Sequence, residues 1–194
     1  MSLFEVFYSI GTHLNIIDNK MDDFLESKEV KNYSKTAKIF HWGFILIFVY
    51  GISKQVDELE QLSDMSLLRF EMAFAAVFLI ILIIRFFYMK KTQTSALPYQ
   101  TSKLQRYAAK LVHYGMYVCL ASIALSGIVI GTLYWLNFKS GYIIEAVISV
   151  HEFSFFVIYW LIAIHISAAI YHRFLQDGVW NAMVPFWKEK SKKE

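Results

Sequence analysis

Three histidines lie in one apolar stretch, VHEFSFFVIYWLIAIHISAAIYHR from Val150 to Arg173. An ionisable side chain at that depth marks a functional site by default. His151 and His165 are fourteen positions apart, ~21 Å along a helix and within ~40° of one face. One helix with that stripe can present an imidazole near each side of a membrane, and so hold two flat metal cofactors. His172 repeats the stripe seven residues later, where the run gives way to Arg173, and interfacial packing explains it equally well.

The elements that position these groups are apolar throughout. The chain has 194 residues, 57% hydrophobic and 18% aromatic, with two prolines. That composition excludes an ordinary soluble domain and fits a small all-α, polytopic membrane protein. Its one cysteine, Cys119, excludes a thiolate-held iron–sulfur cluster, an internal disulfide and a CxxCH haem attachment. The six histidines remain as the plausible ligands for any metal or haem. Nothing in the chain points to nucleic acid. The start, MSLFEVFYSIGTH, has no basic n-region or long apolar core, so the first inserted helix is expected to be retained.

Four spans are expected. The first is IFHWGFILIFVYGIS, from Ile39 to Ser53, with Lys38 and Lys54 at its edges. The second runs from about Leu67 to Tyr88, with Arg69, Glu71 and Arg85 towards its ends. The third begins near Leu104 and is uncharged from Leu111 to Phe138, and the fourth is the histidine-bearing stretch. Lysine and arginine crowd the segments before span one, between spans two and three, and after span four, which predicts both termini in the cytoplasm. Short links then make an up-down-up-down four-helix bundle in the membrane lipid. Gly127 and Gly131 form a small-xxx-small face for close helix packing.

Residues 1–32 precede the spans. Leu3, Phe7, Ile10, Leu14, Ile17, Met21 and Phe24 recur at helical spacing, and residues 1–30 carry a net charge of minus four. An acidic amphipathic helix suits a protein partner better than anionic headgroups. His13 within it is read as structural. Residues 33–185 form the four-helix domain, and 186–194 a basic tail.

Antiparallel spans bring His41, early in span one, to the depth of His165, late in span four. A haem between them would have two imidazole ligands, with Phe, Ile and Leu around its macrocycle. His113 in span three shares that depth and could meet a propionate, meet a quinone headgroup, or bond within the core. His151 lies near the other surface, where span two offers Glu71 and Met72 but no histidine. Methionine can ligate haem opposite histidine; a carboxylate more naturally pairs with Arg69 or handles protons.

These residues resemble the bacterial cytochrome b561 family, four-helix membrane proteins with two b-type haems that react with quinones, and the related b-type subunits of hydrogenases and formate dehydrogenases. The likeness runs from about Tyr33 to Pro185. It includes YSKTAKIFHW, the Arg85 that closes span two, LVHYGMY and ALSG, the His151-Glu152 pair with His165 fourteen residues on, and AAIYHRFLQDGVWNAMVP. The resemblance implies that His41 and His165 hold a cytoplasmic-side haem b and that His151 serves an outer one. The family's fourth ligand stands fourteen residues before the closing arginine, where this chain has Glu71. The outer site is therefore empty, or held by His151 with Met72 or Glu71, or held by His151 alone with an open iron position for oxygen or superoxide. At least one haem is expected.

The implied function is electron transfer between quinone and a donor or acceptor at the opposite face, in the bacterial inner membrane. The quinone–superoxide exchange of stand-alone members is one form of it. A second reading is an anchor subunit of a larger redox complex, haem-bearing or mainly structural, docked through the acidic N-terminus. A third makes the histidines a metal or proton path; with only Glu71 and Glu152 as carboxylates near the spans and no proline inside them, the sequence gives that path little to work with.

Overall fold

The protein is described from a computed structural model covering residues 32–189 apart from 55, 57 and 94. The expected N-terminal amphipathic helix, His13 and the end of the basic tail lie outside the described residues.

Four helices are long and apolar enough to cross a membrane: α1 (Lys35–Ser53), α2 (Met65–Thr92), α3 (Lys103–Trp135) and α4 (Tyr142–Leu175). A short helix, α5 (Val179–Met183), follows, and a single 3-10 turn at Leu59–Ser63 joins α1 to α2. No strand occurs among the described residues.

Local chemistry sets the helix ends. The Ser34 hydroxyl accepts from the Ala37 N–H at the start of α1, and Ser102 with Gln105 forms a capping box on α3. Gly141, at φ 108°, turns the chain into α4. That break corrects the expected start at Val150. The eight residues before it, YIIEAVIS, are helical, so His151 sits more than two turns inside α4 instead of at its tip. At 33 and 34 residues, α3 and α4 measure about 50 Å, well beyond a ~30 Å hydrocarbon layer. Likewise α2 continues seven residues past Arg85, which places that arginine inside the bundle.

Asp64 caps α2, accepting from the Ser66 hydroxyl at 2.7 Å and the Ser66 N–H at 2.8 Å. Those bonds hold its carboxyl below the usual carboxylate range. A carboxyl lowered by folding stabilises the fold fully above its unfolded value of about 4 and loses that contribution as pH falls through the lower folded value. The first turn of α2 is therefore expected to loosen below about pH 4. Faster amide exchange at Ser66 and Leu68 in acid would report it, and Asp64→Asn should remove the pH dependence.

The bundle is built most tightly where α3 lies on α4, next where α2 lies on α3, and more loosely where α1 lies on α2; α1 and α4 do not form a packed pair. Phe44, Phe78, Leu82, Leu120, Ala124 and Ile158 make the central core, and Ile158 is wholly buried. Leu62, Leu68, Ile130, Tyr134 and Ile144 make a second core at the end holding the α1–α2 link. Leu46, Ile80, Val118 and Phe156 point outward, an apolar exterior that suits lipid. At the opposite end the C-terminal segment folds across α1. The Tyr33 N–H donates to the Ala182 carbonyl, Lys38 Nζ to the Asn181 carbonyl and Trp42 Nε1 to the Met183 carbonyl, while Phe186 packs on Trp42.

Candidate haem site

Early α1, late α2, early α3 and late α4 meet at the end that the C-terminal segment covers, and there His41, Arg85, His113 and His165 come together. The His41 and His165 ring centres are 6.3 Å apart with planes at 63°. Two imidazoles on opposite sides of one metal, each with a bond of about 2 Å, stand with their centres roughly 6 Å apart. The pair fits an iron between them, at the seam where α1 and α4 do not pack on each other. His113 packs edge-on against His165 with ring centres at 4.9 Å, too close for a metal between those two. Its Nδ1 donates to the Ala109 carbonyl at 2.6 Å, which fixes the ring beside His165.

Arg85 was legible only as the residue closing span two, but it belongs to this site. Nη1 donates to the Tyr117 hydroxyl at 2.8 Å and Nη2 to His41 Nδ1 at 2.9 Å, and the guanidinium lies over the Phe44 and Tyr117 rings. Its Nε is buried without a partner, and no carboxylate pairs with it among the described residues. A desolvated guanidinium with spare donors suits an acid group such as a propionate, so the donor set fits haem in this respect as well. Because a guanidinium only donates, His41 Nδ1 accepts here and its hydrogen lies on Nε2. Iron ligation through Nε2 needs the reverse, so the Arg85–His41 bond must open for His41 to ligate by that atom.

The other end holds His151. The Ser126 hydroxyl donates to the Ser122 carbonyl at 2.5 Å, so at 2.7 Å it can only accept from His151 Nδ1–H. This leaves the lone pair on Nε2. Ser122 and Ser154, joined at 2.8 Å, continue the polar seam between α3 and α4. Sequence pattern alone did not single these serines out, although Ser122 and Ser126 stand four apart on α3 and Ser154 three after His151 on α4, each at helical spacing. Gly127 and Gly131 serve side chains and not a bare helix contact: a Cβ on Gly127 would lie 3.5 Å from the His151 ring, and one on Gly131 would lie 2.5 Å from Met72 Cγ.

Glu71 is not paired with Arg69. Two positions apart on one helix, they point to different sides. Arg69 lines a small hollow with Met65, Leu68, Met72 and Trp135, whereas Glu71 faces the His151 end and keeps a buried Oε1 with no partner. His172 is taken up by Asp177 at 2.6 Å, at the turn after α4, as interfacial packing would have it. No cluster of three or more metal-binding His, Cys, Asp or Glu side chains occurs among the described residues.

Four membrane-crossing helices that gather imidazoles from the first and last spans at one end define a membrane-embedded bundle for a ring-held metal. The chain belongs to the prokaryotic cytochrome b561 family, whose model matches residues 32–186. It is accordingly a multi-pass membrane b-type cytochrome that binds haem b and serves electron transfer. No curated protein and no solved structure matches the chain.

Proposed function

We propose that the chain holds one haem b between His41 of α1 and His165 of α4 and passes single electrons between a membrane quinone and a donor or acceptor at the other face. The observation that carries this reading is the 6.3 Å spacing of those two rings across the loosely packed α1–α4 seam. Haem supplies the one-electron chemistry; the chain sets its orientation, burial and electrostatics. His113 positions His165 and is not itself a ligand. Arg85 supplies a positive charge and donors for an acid group. The α5 segment, tied to α1 through Lys38 and Trp42, keeps water from that end.

The lysines before α1, between α2 and α3, and after α4 support a cytoplasmic position for this end in a bacterial inner membrane. His151 then lies in the outer half, with neither Met72 nor Glu71 assigned as its haem partner. Residues 33–185 form the haem domain, and the acidic segment 1–32 serves to dock a protein partner. A reduced-minus-oxidised spectrum with haem quantified as the pyridine haemochrome should give a b-type Soret band and about one haem per chain. A colourless protein would sink the reading, and a ratio near two would return His151 to haem ligation.

A further inference from the structure

A cavity of about 330 Å³ lies between the two cores in the His151 half of the bundle. Phe48, Phe78 and Phe155 give it flat apolar walls. The polar side chains among its lining residues are few: the Glu71 carboxyl, with Oε1 buried and unpartnered, and His151, whose Nδ1–H is committed to Ser126 so that Nε2 offers a lone pair. Glu152 adds a further acceptor at the rim. A pocket of this size and makeup is a small-molecule site with acceptors at fixed points. Burying an acceptor without a donor is costly, so the fitting ligand must bring the hydrogens.

We propose that this cavity binds the reduced, dihydroxy form of a quinone headgroup, with Glu71 and His151 Nε2 each accepting from one ring hydroxyl. A quinone offers only carbonyl acceptors and would leave the His151 Nε2 lone pair without a donor. The site therefore distinguishes quinol from quinone by hydrogen-bond polarity, while the aromatic walls hold either ring. Met72, seated on Gly131, lines the cavity in the space a larger residue at 131 would take. The proposal rests on the quinone reading of the protein and gives that reading a place and a redox form.

The test uses the whole haem-loaded protein in detergent under dithionite, so that no electron passes during the measurement. Tetramethylhydroquinone and its dimethyl ether, which has the same ring and no donors, are titrated by calorimetry. The diol should bind, and the ether should bind at least about tenfold more weakly, the loss expected when a hydrogen bond to a charged group is removed. Glu71→Leu and His151→Leu should each weaken the diol about tenfold or more and leave the ether unchanged. Glu71→Gln, which keeps one acceptor, should fall between; it also serves if the leucine variant loses its inner Soret band.

Equal affinity for diol and ether, or diol binding indifferent to both substitutions, would overturn the proposal, as would two haems per chain. Quinol oxidation that persists in Glu71→Leu and His151→Leu would leave the electron-transfer reading intact and remove this site from it. Diol binding that obeys the substitutions in a protein that never exchanges electrons with quinol would do the opposite.

Discussion

Alanine in place of His165 is expected to strip the purified protein of its Soret band, lowering haem content by more than about tenfold, while helix content by circular dichroism stays the same. Even an outer-shell partner of a metal ligand commonly costs ten- to a hundredfold in affinity when lost, and an axial ligand should cost more. His41 alone cannot replace the pair, because it supplies only one of the two facing imidazoles. His113 is the one neighbour able to compensate, since its ring already touches His165. His113→Phe is therefore the companion variant. If His113 only positions His165, this variant keeps its haem and shifts its spectrum slightly. If His165→Ala stays coloured and only the double variant bleaches, His113 is the ligand and the α1–α4 assignment is wrong. His172→Ala, at the Asp177 contact, should keep full colour.

Much of this site was legible because lipid simplifies the code. Uninterrupted apolar runs fix the spans, and a histidine fourteen residues from another on such a run has few structural uses. Alternating direction then forces His41 and His165 to equal depth. What could not be read depends on where helices end and on which way a charge turns. YIIEAVIS reads as a junction because Glu145 dilutes its hydropathy, yet Gly141 holds the break and α4 starts there. Arg85 reads as an end marker because Lys90 and Lys91 follow it, but about two further turns of helix would not fit a span measured from composition alone. Glu71 reads as a partner of Arg69, a proton-handling group or a replacement ligand; helical geometry sends it away from Arg69, and it becomes part of a cavity wall. Residues 178–185 read only as the exit from span four, whereas in the fold the Asn181 and Met183 carbonyls receive Lys38 and Trp42. Such contacts depend on backbone atoms, which carry no signature in side-chain pattern.

Arg85→Leu is expected to lower the midpoint potential of the haem by about 40–90 mV and to weaken its retention. The guanidinium is desolvated and lies one imidazole away from the gap between His41 and His165. A unit charge roughly 8–16 Å from a redox centre at an effective dielectric of about 20 changes its energy by about 1–2 kcal/mol. For a one-electron couple, at 59 mV per tenfold, that is about 40–90 mV. The sign follows from charge: a nearby cation disfavours the more positive oxidised iron, so removing it makes reduction harder. Arg85→Lys separates the two roles. It keeps the charge and so most of the potential, but a lysine lacks the fork that reaches both Tyr117 and a second acceptor, and haem retention should still fall. Redox titration of the three proteins, with haem content measured after repeated washing, reads both effects. A potential unchanged in Arg85→Leu would mean that the charge of Arg85 is screened from the iron. In that case Arg85 would be held by Tyr117 and the two aromatic faces for packing alone, and the potential of this cytochrome would be set by its axial imidazoles and burial.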